Sequence, residues 1–379
     1  MNESKQPWRK PIWEGDTVWE ETVLFVTGRS QARLLYPIGE IVSVTSYDRE
    51  TVYQAGKDYT ITDGYVSRPA DSAIPVYEKP LVKQAENDVE RTYCIDEEAG
   101  TSLAFIDDRA YPQYAVLVTY RHTKTWPWGG YEPAFPEGMI RCREKLERGE
   151  PLHIVIYGDS ISCGWSASGL NAPATYYDLS NTEGHFKPYV LNFPPYTPPW
   201  MEQLEAILRE TYPQAQLTIT NIALGGTGSP WGMQSAAARL ALCPSKPDLV
   251  MIGFGGNDLP GRVSPETHRY CAEQMIATFR NPEVKNGNPD AEILLYSCMT
   301  LNPLAKYQHT EGLLAYEREL QKIAAETPDV QAMPVTSFFA SLDQAKEAID
   351  RLNTNVNHGN DFTARVYAKL FCRAFGVKH

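Results

Sequence analysis

The sequence has no long apolar run and no excess of basic residues. Its 379 residues carry 35 Lys and Arg against 47 Asp and Glu, a formal net charge of -12. Nucleic acids and anionic membranes are bound by basic patches, so this balance argues against both as partners. The first residues lack the apolar segment of a secretory signal, and no later stretch reaches the length of a membrane span. We therefore expect a cytoplasmic protein.

Paired cysteines and metal-ligand spacings are also missing. The seven cysteines are an odd number without CxxC spacing, and the histidines are scattered along the chain. A disulfide framework, a metal site and a bound cofactor are therefore not expected. No phosphate-binding glycine motif is complete, which argues against a nucleotide. Cys163 lies near a candidate serine, but we expect it to be a buried small residue and not a nucleophile.

The first third of the chain is rich in short β-type runs separated by turn residues. This pattern holds from residue 16 to about residue 123 and has little helical period. Regularly spaced strands with turns predict an antiparallel sandwich. We expect residues 1–137 to form a jelly-roll-like β-sandwich accessory domain that ends in a linker, the aromatic and proline-rich segment Trp126–Pro136.

From about Gly138 apolar strands alternate with helical stretches. That alternation predicts a doubly wound parallel sheet with helices on both faces, a three-layer α/β/α domain over residues 138–379. The predicted strands are 153–157, 216–222, 248–254, 292–298 and 330–338. The predicted helices are near 199–212, 232–242, 265–280, 311–327 and 361–375.

Four loops of this second half carry residues suited to chemistry. Ser160 follows the first predicted strand, Gly226 follows the second and Asn257 follows the third, while His358 lies just before the last helix. Because parallel strands place their carboxyl ends at one edge of the sheet, we expect these loops to meet there. Ser160 alone is more typical of a turn or a helix cap; the other loops favour a functional role.

The four residues together fit acyl transfer. A serine becomes a nucleophile when a base removes its proton, and a histidine such as His358 suits that task. The tetrahedral intermediate then needs preorganised hydrogen-bond donors. We expect the backbone N–H groups of Ser160 and Gly226 and the side-chain amide of Asn257 to form this oxyanion hole, although Asn257 also fits a simple turn.

The order of these blocks resembles that of the SGNH (GDSL-type) hydrolase superfamily. The resemblance covers about residues 150–375 and implies a serine esterase with Ser160 and His358 in the catalytic roles. It gives Asp159 and Asp258 structural roles. The blocks are Gly158-Asp159-Ser160, the glycine of Gly225-Gly226, Gly255-Gly256-Asn257-Asp258 and His358 with the trailing Asn360-Asp361.

The last block departs from the family pattern. The family has an aspartate three residues before its histidine, and here that position is Asn355. In a serine protease the same Asp-to-Asn change costs about ten thousandfold by favouring the wrong tautomer. Either the enzyme is weak or another group, such as a backbone carbonyl at Nδ1, orients His358 in a Ser-His dyad. Asp350 and Asp361 are less suitable substitutes.

The two-domain order resembles carbohydrate acetyl esterases with an N-terminal β-sandwich. This implies acetylated oligosaccharides or other small esters as substrates, with Trp165 and Trp231 as candidate sugar-binding residues and Trp200 in the core. A lipid or thioester acyl hydrolase and a catalytically weak carbohydrate-binding protein remain alternatives. The N-terminal domain is equally compatible with sugar binding, with dimerisation in a homo-oligomer and with a scaffold.

Overall fold

The architecture is given by a computed structural model that describes residues 6–84, 92–123, 139–177 and 186–377. The predicted linker lies outside these ranges. The predicted boundary at 137/138 also falls outside them and stays a prediction.

Short antiparallel strands make up the N-terminal region. They form three three-stranded sheets with the orders β1-β9-β3, β2-β5-β4 and β6-β8-β7. The strands are β1 (Thr17–Leu24), β2 (Gln31–Arg33), β3 (Ile38–Ser46), β4 (Thr60–Thr62), β5 (Tyr65–Ser67), β6 (Val82–Gln84), β7 (Cys94–Asp96), β8 (Thr101–Leu103) and β9 (Ala115–His122).

The second half alternates helices and strands. Its elements are α1 (Ile140–Arg148), β10 (Pro151–Gly158), β11 (Asn171–Tyr177), β12 (Phe186–Val190), α2 (Trp200–Thr211), β13 (Gln216–Asn221), α3 (Ser229–Leu240), β14 (Leu249–Gly253), α4 (Pro265–Arg280), β15 (Glu292–Tyr296), α5 (Thr310–Glu326), β16 (Val330–Met333), α6 (Val335–Leu342) and α7 (Asp361–Ala374).

A parallel five-stranded sheet has the order β13-β10-β14-β15-β16. From β10 the chain runs to β13 on one side of β10 and then to β14 on its other side. The switch point of the sheet therefore lies between β10 and β14. Ligands of open α/β sheets bind outside the carboxyl ends of the strands at such a point. The loops that carry Ser160 and Asn257 follow these two strands.

Alternate residues of β10 face opposite layers of the core. Ile154 and Ile156 belong to a hydrophobic cluster that includes α2 and α7, while Val155 and Tyr157 belong to one that includes α3 and α4. Helices therefore cover both faces of the sheet, as a nearly continuous apolar strand requires. The predicted fold class, a doubly wound three-layer α/β/α domain preceded by an antiparallel β-sandwich, is confirmed by the parallel central sheet, its flanking helices and the antiparallel N-terminal sheets.

The last predicted strand was wrong in its second half. β16 ends at Met333, and α6 begins at Val335. Pro334 has no N–H to continue a ladder and lies where helix α6 begins. The N-cap of α7 is Asn360, whose side chain accepts from Thr363 N–H, so that Asp361 is the first helical residue.

The N-terminal region shares its core with the α/β half. The larger hydrophobic cluster runs from Val23 and Phe25 to Phe362 and Val366 of α7. A fully buried ion pair of 2.8 Å joins Glu21 of β1 to Lys346. The antiparallel sheets are thus packed directly against the segment that leads to the predicted histidine loop.

None of the helices in the described ranges combines the length and the apolar character needed to cross a bilayer. Among the same residues, no group of three or more His, Cys, Asp or Glu side chains is arranged to hold a metal ion.

Candidate active site

The loop after β10 begins at a very close approach of two strands. Asp159 N–H donates to the carbonyl of Gly253 at the end of β14, over 3.3 Å. A Cβ on Gly158 would lie 2.1 Å from that same carbonyl oxygen, so only glycine fits there. Ser160 follows directly and is 6% exposed. The serine is thus held at the carboxyl edge of the sheet, beside the switch point.

Ser160 and His358 are brought into hydrogen-bond contact. The serine Oγ lies 2.9 Å from the Nε2 atom of His358, although the two residues are 198 positions apart. The histidine loop is closed by a β-bridge between Leu352 and Gly359. Within it, Asn353 N–H donates to the carbonyl of His358 over 2.8 Å. A nucleophile and a base within this distance form the core of a covalent acyl-transfer site.

The other ring nitrogen of His358 is buried and has no hydrogen-bond partner among the described residues. Neither a carboxylate nor a backbone carbonyl of that part of the chain therefore accepts from Nδ1. Burial lowers the pKa of His358 to about 4, because the charged imidazolium loses its hydration. At neutral pH the ring is consequently a neutral base.

Asn355 does not orient the imidazole with its side chain. Its Nδ2 donates to the carbonyls of Leu81 and Ala104, each over 3.0 Å, in the N-terminal region. Its backbone carbonyl accepts from Asn302 Nδ2 over 2.7 Å. The residue therefore ties the histidine loop to the N-terminal sheets.

The two alternative carboxylates are also engaged elsewhere. Asp350 forms an ion pair of 2.6 Å with Arg29. Asp361 accepts from the backbone N–H and the hydroxyl of Ser168, over 2.8 and 2.7 Å. Burial raises the pKa of Asp361 to about 6.

The loops of the expected oxyanion donors are bonded to each other. Leu224 N–H donates to the carbonyl of Gly158 over 2.9 Å, which holds the loop after β13 beside the end of β10. The side-chain amide of Asn257 donates to the carbonyl of Thr227 over 2.9 Å. Gly226 is exposed and has a φ of 77°, a left-handed conformation that favours glycine.

Asp159 and Asp258 hold these loops. Asp159 Oδ1 accepts from Ile161 N–H over 2.9 Å, and burial raises its pKa to about 7. Asp258 accepts from Ser229 N–H over 3.0 Å and lies 3.4 Å from His268 Nδ1. Burial by itself would raise the pKa of Asp258, but the hydrogen bonds from His268 and Ser229 outweigh it and lower the pKa.

Trp165 packs directly against the histidine. The two ring centroids are 5.0 Å apart with an interplanar angle of 65°, an edge-on contact. The indole also occupies the space beside Gly225, where a Cβ would lie 2.5 Å from its Cζ2 atom. Trp165 therefore links the loop after β13 to His358, and it is half-buried.

The other candidates near the site lie in the core or pack against it. Trp231 is half-buried at the start of α3, with its ring 6.3 Å from that of Tyr157. Trp200 is 2% exposed, and its indole N–H donates to the carbonyl of Ile161 over 2.8 Å. Cys163 is buried, and burial raises the pKa of its thiol, so it is not poised as a nucleophile.

Two residues at this site were not expected from the sequence. Asn302, which donates to Asn355, follows β15 and so had the same positional signal as Ser160, namely the end of a parallel strand. Asp108 accepts hydrogen bonds from Ser166 and Asn353. It lies in the N-terminal region, where no local motif marks it.

A serine and a histidine joined at the carboxyl edge of a doubly wound sheet are the arrangement of a serine hydrolase. The family model described as the GDSL-like lipase/acylhydrolase family matches residues 156–361. This match spans more than half of the chain, and the protein belongs to that family. Among the curated proteins, none matches the sequence.

Several solved structures are similar at low identity. One is an α/β hydrolase enzyme from the metagenome of Lake Arreo, Spain, with 18% identity and a TM-score of 0.44 over 59% of this chain and 95% of that one. Another is an acetylxylan esterase from Geobacillus stearothermophilus, with 16% identity and a TM-score of 0.44 over 60% and 95%. A third is a two-domain esterase active on acetylated mannans, with 18% identity and a TM-score of 0.42 over 63% and 52%.

Proposed function

We propose that the protein is a serine esterase that removes acetyl groups from carbohydrates or oligosaccharides. The observation that carries the proposal is the 2.9 Å contact between Ser160 Oγ and His358 Nε2. In the proposed reaction His358 takes the hydroxyl proton as Ser160 attacks the ester carbonyl. The alcohol leaves with that proton, and a water molecule, activated by the same histidine, then releases acetate from the acyl-enzyme.

The proposed oxyanion hole consists of the N–H groups of Ser160 and Gly226 and the amide of Asn257. One N–H of the Asn257 amide donates to Thr227, which fixes the amide and leaves its second N–H for the substrate. Preorganised donors of this kind are each worth about a hundred- to a thousandfold in rate. The exposed position of Gly226 supports access by a substrate oxygen.

The acetyl part of the proposal depends on the sequence resemblance to two-domain carbohydrate acetyl esterases. The carbohydrate part of the proposal depends on the sequence resemblance and on the half-buried indoles of Trp165 and Trp231, since aromatic faces stack on sugar rings.

Acetate release from acetylated xylo- and manno-oligosaccharides tests the proposal. Ser160→Ala is expected to lower turnover at least about a thousandfold. Ser162→Ala is the matched control, because it removes a hydroxyl of the same loop that contacts Tyr296 and not His358. Turnover that survives Ser160→Ala would refute the proposed nucleophile, and faster hydrolysis of long-chain nitrophenyl esters than of acetates would move the substrate to the lipid class.

A second candidate is a carbohydrate-binding protein with little catalysis. The observation that favours it is the unpartnered Nδ1 of His358 in the described part of the chain. A fluorophosphonate probe separates the two functions, because only an activated serine reacts. Labelling that is lost in Ser160→Ala supports the esterase, whereas binding of the oligosaccharides without labelling supports the alternative.

A further inference from the structure

A strand-like segment of the N-terminal region lies along the histidine loop. Ile106 N–H donates to the carbonyl of Thr354 over 2.9 Å, and the carbonyl of Ala104 accepts from Asn355. Asp107 is exposed, but the next residue, Asp108, is only 6% exposed. This segment therefore brings one buried carboxylate to the loop that carries His358.

Asp108 joins the two loops of the site. Its Oδ1 accepts from Ser166 Oγ over 2.6 Å, in the loop that carries Ser160. The same oxygen accepts from Asn353 Nδ2 over 3.1 Å, in the loop that carries His358. Hydrogen bonds to an ionised oxygen are about twice as strong as neutral ones.

Both contacts lead to the imidazole by short paths. Ser166 has a φ of 70°, which is disfavoured for a residue with a Cβ, so its conformation needs support from neighbouring groups. It directly follows Trp165, whose ring packs edge-on against His358. On the other side, Asn353 N–H holds the carbonyl of His358. Asp108 thus supports the ring of His358 through Ser166 and the adjacent Trp165. It supports the backbone of His358 through Asn353.

We infer that Asp108 is a positioning residue for the Ser160–His358 pair, supplied by the N-terminal region. The inference rests on the proposed esterase function. It gives a physical reason for the imidazole to keep its orientation when no described residue accepts from Nδ1. The N-terminal sheets then serve the reaction itself, because they fix the geometry between base and nucleophile.

The test compares Asp108→Ala with Asp108→Asn. The alanine removes both contacts and is expected to lower kcat about 10- to 100-fold with KM within threefold, since small misplacements of reacting groups cost rates of this order. The asparagine keeps one oxygen for Ser166 and Asn353 and is expected to restore kcat to within threefold of the wild type. Burial raises the pKa of Asp108 to about 6, so assays at pH 8 keep the wild-type carboxylate ionised.

Two control variants separate positioning from stability. Asp107→Ala changes the exposed neighbour and is expected to have no effect on kcat. Asp58→Ala removes another buried carboxylate of the N-terminal region, whose bonds go to Gln54 and Ala73 in that same region. Wild-type kcat in Asp108→Ala overturns the inference. An equal loss of kcat in Asp58→Ala also overturns it.

Hydrogen exchange tests the same inference without activity. Asp108→Ala is expected to raise amide exchange in residues 161–168 and 352–360 together, because it releases both loops. Asp58→Ala is expected to leave both segments unchanged. If the wild type turns over no ester and resists the fluorophosphonate probe, the proposed function fails, but a joint rise of exchange in these segments still supports the link that Asp108 makes between the two loops. Unchanged exchange in Asp108→Ala overturns it.

Discussion

Asn355→Asp restores the carboxylate that the family resemblance places three residues before the histidine, and we expect it to weaken the fold without raising activity. The side-chain nitrogen of Asn355 donates to the carbonyls of Leu81 and Ala104, each over 3.0 Å. A carboxylate oxygen in that position faces two carbonyl oxygens. It cannot donate to either of them, so the carbonyl of Ala104 loses its partner, whereas the carbonyl of Leu81 keeps the N–H of Ala104 over 2.8 Å.

Leaving a buried polar group unpaired costs about 1–3 kcal/mol. With one carbonyl left unpaired, the free energy of unfolding is expected to fall by about 1–3 kcal/mol. Repulsion by the carbonyls raises the folded pKa of the new carboxyl above its unfolded value of about 3.9. The folded state then binds the proton more tightly, so the loss of stability is small near pH 4 and grows as pH rises through the folded pKa.

Denaturant unfolding at pH 5 and pH 8, together with the acetate-release rate, measures both effects. Asn357→Asp is the control, because it adds a carboxylate two residues further on, at a half-buried position of the same loop. A stable Asn355→Asp variant with kcat raised tenfold or more would refute the reasoning. That result would mean that the side chain at 355 turns to Nδ1 of His358 and that the contacts to the N-terminal region are dispensable.

Two further predictions concern the same histidine. Because the pKa of His358 is about 4, the imidazole stays neutral well below pH 6. We therefore expect kcat/KM to be level from pH 8 to about pH 5 and to fall only near pH 4, where protonation removes the base. An acidic limb at about 6.5 in the pH–rate profile would contradict the effect of burial. Gly225→Ala should lower kcat at least tenfold, because the new Cβ would lie 2.5 Å from the indole of Trp165 and displace the ring that packs on His358. Initial rates and tryptophan fluorescence measure the two effects. An unchanged rate with unchanged fluorescence would show that the added methyl group does not displace the indole.

The position of the site could be predicted because it depends on topology. Ser160 and Asn257 follow apolar runs, and parallel strands bring such loops to one edge of the sheet whatever their side chains do. The prediction of one strand over residues 330–338 was wrong because it depended on local composition and not on topology. A short apolar stretch does not distinguish a strand from a buried helix, and Pro334 divides this one into both.

The support of His358 could not be predicted, because it comes from distant parts of the chain. Sequence spacing places Asn355 where an acid is expected, but the direction of its side chain is set by carbonyls 274 and 251 residues away. Asp108 lies 245 residues from Asn353. No local period or motif encodes such contacts, since they arise only when the N-terminal sheets pack on the histidine loop.

A carboxylate at Nδ1 gives a catalytic histidine two things, a fixed ring orientation and a partner for the imidazolium charge. Here the orientation has other sources, the edge-on contact of Trp165 and the backbone bond from Asn353. The charge has no such partner among the described residues, and burial lowers the pKa of His358 to about 4. In the proposed mechanism the proton of Ser160 moves to the ring in the same step in which an oxyanion forms on the substrate. In the proposed mechanism the oxyanion hole, and not an acid behind the histidine, therefore provides most of the electrostatic stabilisation of the transition state.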